Sequence, residues 1–177
     1  VDKGRDKGAL LIQERSIVDK ASGALLATLE HTTFCRGDGG FGKGDAAPPP
    51  PPALPEGEPD ASCDFPTLPQ AALIYRLCAD RNPLHADPAV ARAAGFLRPI
   101  LHGLCSYGVA GHAILKTWCG YDPAKLTGLS LRFSAPVYPG ETIRTEMWDR
   151  GSSILFRSRA LERDVIVLNN GVATVAR

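Results

Sequence analysis

The residue types that could perform chemistry gather in one short stretch of the chain. Asp80, Asn82 and His85 bring a carboxylate, an amide and an imidazole close together. His102-Gly103 then opens an apolar segment that predicts a long helix, whose first main-chain N–H groups have no partner within the helix. One group can take a proton from water, another can supply one to carbon, and the N–H groups can hold charge on an oxygen. These are the groups needed to add water across a double bond beside a carbonyl.

Capping residues and proline predict the elements around this stretch. Thr67 begins a Thr-Leu-Pro-Gln sequence, which is typical of a capping box and predicts a helix start. That helix should end before Pro83, because proline keeps the preceding residue out of the helical region. Asp80 should therefore lie at a helix end and His85 just past a bend. Asp87-Pro88 predicts the start of a second short helix.

The strongest helix pattern spans residues 101–118, with apolar residues on one face, Leu104 among them, that we expect to be buried. Its small residues should let a sheet pack closely against it; they are Gly103, Gly108, Ala110 and Gly111. Six segments read as strands: Ala9 to Val18, Ala24 to Cys35, Leu126 to Phe133, Glu141 to Arg150, Ser153 to Glu162, and Asp164 to Val175. Together they predict an α+β fold in which one helix covers a curved antiparallel sheet.

Composition narrows the function classes. The 177 residues have a net charge of +1 and show no basic patch, so nucleic acid is not an expected partner. No apolar run is long enough for a membrane span, so a membrane is not expected either. The five cysteines form no C-x-x-C pair and the four histidines show no ligand spacing. We therefore expect no disulfide frame, no metal and no cofactor. Residues 37–44 contain G-x-x-x-x-G-K but lack the Ser or Thr and the helix of a phosphate loop, which favours an ordinary flexible loop.

Four segments in sequence order resemble a known family. Residues 80–85, Asp-Arg-Asn-Pro-Leu-His, match the D-x-N-P-L-H core of the hydratase 2 motif, and the similarity extends through residues 94–96, 99–105 and 132–140. This motif belongs to the MaoC-like (R)-specific 2-enoyl-CoA hydratases, which adopt the hot-dog fold. One departure is Cys78-Ala79 in place of a frequent Ser-Gly, a small steric change that we expect to be tolerated.

The resemblance implies a reaction and roles. The substrate would be a trans-2-enoyl-CoA and the product a (3R)-3-hydroxyacyl-CoA. Asp80 and His85 would hold one water between them, Asn82 would orient the water or the catalytic side chains, and the N–H of Gly103 would bind the thioester oxygen. The further residues expected to bind substrate are Arg81, Pro83 and Leu84, together with Phe133 and Lys3 at positions that contact CoA in the family. Lys7 competes with Lys3 for that alignment.

The resemblance also predicts the domain organisation. Residues 1–44 resemble the closing strands of the first half of two-repeat members, residues 45–62 form a proline-rich linker, and residues 63–177 form the hydratase 2 hot-dog domain. The chain begins at Val1 in strand-like sequence, which suggests a piece of a longer protein with an incomplete first half. We expect a homodimer. The ending Val-Ala-Arg is not a peroxisomal signal of the Ser-Lys-Leu type, so the expected location is the cytoplasm.

Two other functions remain open from the sequence. A non-catalytic hot-dog module could bind acyl thioesters, although binding alone does not require an Asp/His pair. An acyl-CoA thioesterase would keep the fold and release free CoA thiol, whereas a hydratase changes only the conjugated double bond.

Overall fold

The computed structural model describes residues 1–78 and 80–177, which divide into two compact units, residues 1–50 and 51–177. The first unit is built on an antiparallel hairpin of β1 (Ala9–Val18) and β2 (Leu25–Cys35). Both strands were predicted from their apolar and β-branched residues. Most of their side chains are exposed.

The glycine-rich segment after β2 is tied to the start of the chain. The carboxylate of Asp2 accepts hydrogen bonds from the N–H groups of Gly40 (2.8 Å) and Gly42 (2.6 Å). No helix follows this loop within residues 36–60, all of which the structure describes. The N–H groups that a phosphate would need are therefore occupied by a carboxylate of the chain itself, which agrees with the ordinary-loop interpretation.

The second unit is a five-stranded antiparallel sheet with helices beside it. The strand order is β3-β5-β6-β7-β4, in which the last three strands of the chain form a meander. The strands are β3 (Ala61–Pro66), β4 (Leu126–Phe133), β5 (Thr142–Asp149), β6 (Ser153–Ala160) and β7 (Val165–Val175). The helices are α1 (Ala71–Tyr75), α2 (Pro88–Ala93) and α3 (Gly103–Trp118).

The core lies between α3 and the sheet. Large side chains of β5 and β6 are fully buried; they are Ile143, Met147, Ile154 and Phe156. Small residues of α3 belong to the same core, where Ala110 and Ala113 are also fully buried. A Cβ built on Gly111 would lie 3.3 Å from Leu129, which confirms the close packing expected at that glycine. At Gly108 such an atom would meet nothing within 4 Å, so there the expectation was wrong.

Three local predictions need correction. Thr67 caps no helix: α1 begins four residues later, and the buried hydroxyl of Thr67 instead donates to the carbonyl of Glu141 (2.8 Å) and accepts from the N–H of Gly140 (3.0 Å). Strand β3 was not predicted, because its sequence alternates weakly and pairs only with the distant β5. Leu104 was expected on the buried face of α3 but is 63% exposed, because small residues of that helix face the sheet instead.

Capping was predicted correctly for α2. The carboxylate of Asp87 accepts from the N–H groups of Ala89 and Val90, Pro88 begins the helix, and Gly95 follows it with a φ of +87°. Among the described residues, no helix has the length and apolar character that crossing a bilayer requires.

Candidate active site

The turn that carries the polar residues is held by hydrogen bonds between close neighbours in sequence. The main-chain N–H of Asn82 donates to the carboxylate of Asp80 (3.0 Å), and the side-chain oxygen of Asn82 accepts from the N–H of Leu84 (3.0 Å). Residues Pro83–His85 form one turn of 3₁₀ helix after this cap. We call residues 80–85 the Asp–His turn. Asp80 is exposed at its start and His85 is buried at its end.

One nitrogen of His85 is committed to the main chain. Nδ1 lies 2.8 Å from the carbonyl oxygen of Ile100, and since a carbonyl can only accept, Nδ1 carries the hydrogen of the neutral ring. Nε2 is then left with a lone pair, which is the state that a proton-accepting histidine requires. The side chain is only 8% exposed, so the ring is held in place as well as in one tautomer.

A second histidine packs directly on the first. The rings of His85 and His102 stack with centroids 3.7 Å apart and an angle of 26° between their planes. Nε2 of His102 lies 3.1 Å from the main-chain oxygen of Asp80. A carboxylate oxygen of Asp80, a ring nitrogen of His85 and a ring nitrogen of His102 all lie within 4.8 Å of one another. The fold therefore brings the predicted pair together.

The start of α3 lies beside these rings. His102 is the N-cap residue but its side chain accepts no hydrogen bond from the helix, so the first N–H groups of α3 are not capped by it. The helix dipole adds partial positive charge at Gly103. The ring of Phe133 lies over this glycine, because a Cβ built there would be 3.2 Å from its nearest ring carbon. Phe133 and Gly103 are therefore close neighbours at the start of α3.

An open cavity of about 290 Å³ connects His85 with the start of α3. Its lining is mostly apolar and includes His85, Phe96, Ile100, Leu101, Gly103, Ser106, Phe133, Ser134, Ala135, Pro136, Val137 and Leu168. An apolar cavity with a few convergent polar groups is typical of a small-molecule site. Burial raises the pKa of the Cys105 thiol, which keeps this neighbouring residue protonated and unreactive near neutral pH.

One side of the cavity is lined by residues 134–137, which belong to a longer segment, residues 134–141, that we call the wall segment. The carbonyl of Val137 accepts from the N–H of Leu101 (2.7 Å), which connects the wall to the residues just before α3. Glu141, 5% exposed, accepts two hydrogen bonds from the guanidinium of Arg163 and one from the N–H of Tyr138. The carboxylate also raises the pKa of Arg163, which keeps this ion pair charged.

The three ligand-type atoms near the Asp–His turn do not suit one metal ion. A metal bonded to an imidazole lies in the plane of the ring, about 2 Å from the nitrogen. The nearly parallel planes of His85 and His102 do not meet that close to both rings. One nitrogen of each ring is also already bonded to a main-chain carbonyl. The arrangement fits proton transfer better than metal binding.

Comparison with known proteins supports the interpretation of this site. The profile of the MaoC-like domain family matches residues 52–171 of this chain. The chain belongs to the MaoC-like domain family.

Individual MaoC-like proteins match over most of the chain. The 3-hydroxyacyl-thioester dehydratase Y of Mycobacterium tuberculosis is 47% identical over 148 residues, which cover 83% of this chain and 51% of that protein. Enoyl-CoA hydratase ChsH3 of the same organism is 42% identical over 174 residues, 98% of this chain and 59% of that protein. The crystal structure of a MaoC-like dehydratase from Phytophthora capsici superposes with a TM-score of 0.93 at 38% identity, over 100% of this chain and 59% of that one.

These matches fix the fold of this MaoC-like domain as the hot-dog fold, with α3 as its long helix, as predicted. The chain spans between half and three fifths of the length of these relatives.

The residues predicted to bind substrate lie in different parts of the chain. Phe133 lines the cavity with Gly103, whereas Arg81 and Pro83 are exposed on the Asp–His turn and Leu84 is half-buried there. Lys3 is exposed in the unit formed by residues 1–50. The expectation about Ala79 falls on a residue outside those that the structure describes.

Sequence reasoning missed several contributors to the site. The carbonyl of Ile100 fixes the tautomer of His85, but a main-chain acceptor leaves no signal in the sequence. Tyr75 contacts the ring of His102 at a centroid distance of 4.6 Å, a contact between distant residues that the sequence does not indicate. His102 lies at the N-cap position of α3, and its side chain provides no cap.

Proposed function

We propose that this MaoC-like domain catalyses the reversible hydration of trans-2-enoyl-CoA to (3R)-3-hydroxyacyl-CoA. The observation that carries the proposal is the separation of at most 4.8 Å between a carboxylate oxygen of Asp80 and a ring nitrogen of His85. A water that makes two hydrogen bonds of about 2.8 Å at a tetrahedral angle spans about 4.5 Å between its partners. The span that one bridging water needs lies within this limit, which supports a water shared by the pair.

In this reaction the water oxygen forms a bond to C3 while a proton leaves it for the Asp80/His85 pair. Electrons of the double bond move toward the thioester, and its oxygen becomes negatively charged. C2 then takes a proton from the pair, so the enzyme ends in its starting state. A closely coupled carboxylate and imidazole titrate together, so we assign the proton transfers to the pair.

The start of α3 is placed for the charge that develops on the thioester oxygen. Gly103 lines the cavity together with His85, and the helix dipole favours negative charge at its N–H. Donors of this kind typically contribute about 3 to 4 kcal/mol to transition-state stabilisation. The Phe133 ring over Gly103 supports a contact with the CoA portion, and we propose the same for Lys3.

The names of the relatives support the same chemistry. One is called a 3-hydroxyacyl-thioester dehydratase and another an enoyl-CoA hydratase, which are the two directions of a single reaction. Hydration also explains why the site holds a pair of proton-transfer groups, which a module that only binds thioesters does not need.

The test is to follow the absorbance of a short trans-2-enoyl-CoA during incubation with the purified protein. Asp80→Asn and His85→Asn should each lower turnover by about 10²- to 10⁴-fold. Asparagine at 85 can still donate to the carbonyl of Ile100, so the fold is retained while the free ring nitrogen is lost. Asp87→Asn is the matched control, since asparagine also caps helices well.

Three outcomes would count against the proposal. Wild-type turnover in both variants would remove the Asp80/His85 pair from the mechanism. Release of free CoA thiol, measured with a thiol reagent, would indicate thioester hydrolysis. Binding of enoyl-CoA with neither change would indicate a binding module.

We also propose the organisation expected from the sequence. The hairpin β1–β2 would close a first hot-dog half, residues 45–62 would link it to the domain from residue 63, and the protein would form a homodimer. The large apolar side chains exposed in the second unit support self-association; they include Leu68, Leu73, Leu77, Leu97 and Leu104. Light scattering that gives the mass of one chain would contradict the dimer. The cytoplasmic location stays a prediction.

A further inference from the structure

His102 is the most deeply buried polar side chain beside the candidate active site. It is 1% exposed and lies between two aromatic rings, with His85 stacked at 3.7 Å and Tyr75 tilted at 4.6 Å. It does not line the cavity that Gly103 and His85 share, and its side chain does not cap α3. Neither substrate contact nor helix capping explains an imidazole at this position.

The hydrogen bond of His102 reaches the main chain of the Asp–His turn. Its Nε2 lies 3.1 Å from the carbonyl oxygen of Asp80, so Nε2 carries the hydrogen. Its Nδ1 is buried and has no partner among the residues that the structure describes. A buried nitrogen without a partner is unfavourable, which indicates that the ring is retained for its other contacts.

The surroundings keep His102 neutral. Burial lowers its pKa most, and the charges of the facing His85 and Arg76 lower it further, while the carbonyl and carboxylate of Asp80 act in the opposite direction. A neutral ring stacked on His85 can support it without competing for the proton that His85 exchanges.

We propose that His102 is a positioning residue that fixes the main chain of Asp80 through Nε2–H and packs the ring of His85 in place. This role rests on the proposed hydration, because it serves the Asp80/His85 pair. Without the bond to its carbonyl, the remaining hydrogen bond of Asp80 within residues 1–78 and 80–177 would be its local contact with Asn82. The distance between the carboxylate and the ring nitrogen of His85 would then vary, and the shared water would be lost.

Two substitutions separate the hydrogen bond from the ring. His102→Phe keeps an aromatic ring against His85 but cannot donate to Asp80. His102→Gln places an amide N–H close to the position of Nε2 and can donate. We expect His102→Phe to lower kcat by about 10- to 100-fold with little change in KM, since misplaced catalytic groups reduce turnover strongly. His102→Gln should recover most of the lost turnover.

A matched control removes a similar bond elsewhere on the same helix. The hydroxyl of Tyr107 donates to the carbonyl of Leu129 (2.6 Å), away from the cavity, and Tyr107→Phe deletes only that bond. It should leave kcat unchanged. Wild-type kcat in His102→Phe, or equal impairment of the Phe and Gln variants, would overturn the proposal. If Tyr107→Phe lost as much kcat as His102→Phe, the effect would be due to a general loss of stability.

A second measurement does not depend on activity. Nitrogen-15 NMR of the wild-type histidines should show His102 as the neutral Nε2–H tautomer at about pH 6, below the usual histidine pKa of about 6.5. A charged ring or the opposite tautomer would contradict the positioning role even in an active enzyme. If the protein shows the expected tautomer but hydrates no enoyl-CoA, the geometry proposed around His102 stands and only the proposed reaction is overturned.

Discussion

The Asp–His turn and the wall segment both border the cavity, but they are held in different ways. In the turn, the carboxylate of Asp80 and the amide oxygen of Asn82 accept from N–H groups two residues away, and the ring of His85 is the part that reaches a distant residue, Ile100. In the wall, local bonding joins Tyr138 to Glu141, and other bonds join distant residues, as between Glu141 and Arg163 or between Val137 and Leu101. Asp80 is exposed whereas Glu141 is buried. In the proposed function the turn would carry the chemistry, and the wall would contribute stability and shape.

Among the tests that compare the two regions, the largest effect is expected at Gly103, which lines the cavity with residues of both. Gly103→Pro removes the N–H that would bind the thioester oxygen, while proline at the first helical position leaves the helix intact. Turnover should fall by about 10²- to 10³-fold. Gly103→Ala adds a similar Cβ against Phe133 but keeps the donor, so it is the matched control. Equal turnover of the two variants in the absorbance assay would show that the N–H is not used.

The next largest effect is expected on the free energy of unfolding, and it should distinguish the role of the wall segment from that of the Asp–His turn. Glu141→Gln leaves the guanidinium of Arg163 without a charged partner in a mostly buried place, which should cost about 2 kcal/mol of unfolding free energy. The exposed pair of Asp64 and Arg144 is the control, and Asp64→Asn should cost less than about 1 kcal/mol. Denaturant unfolding measures both.

Turnover in the folded Glu141→Gln protein should change much less than in Gly103→Pro. A loss of turnover as large as that of the proline variant, with stability unchanged, would contradict the division of roles between wall and turn.

The smallest effect on stability is expected within the turn. Asn82→Ala removes the acceptor for the N–H of Leu84 and should cost about 1 kcal/mol. Asp87→Ala removes the cap of α2 at a similar cost. Turnover should fall only in Asn82→Ala, because that cap shapes the Asp–His turn. Thermal melts with parallel assays test this, and equal activity of the two variants would make Asn82 a purely structural cap.

The difference between local and distant hydrogen bonds also explains which features the sequence could predict. The Asp–His turn and the N-cap at Asp87 depend on neighbours in sequence, and their residue types indicated them directly. Strands with regular apolar patterns were also predicted, and Leu126–Phe133 was correct at both ends. Local signals were sufficient wherever local hydrogen bonds determine the structure.

Features that depend on distant contacts were missed. Thr67 looked like a helix cap because its sequence fits one, yet its hydroxyl is bonded to the turn at residues 140–141. The exposure of Leu104 depends on which face of α3 the sheet covers, and the apolar period alone does not decide this. His85 donates from its ring to the main-chain carbonyl of Ile100, and any residue type at position 100 could accept that bond.

The anchoring of His85 to Ile100 has a mechanical consequence. The ring of His85, which would exchange the proton, is hydrogen-bonded to the main chain only three residues before Gly103, whose N–H would bind the developing charge. A short stretch of chain, residues 100–103, therefore sets the spacing between the two groups that would act on opposite ends of the enoyl thioester.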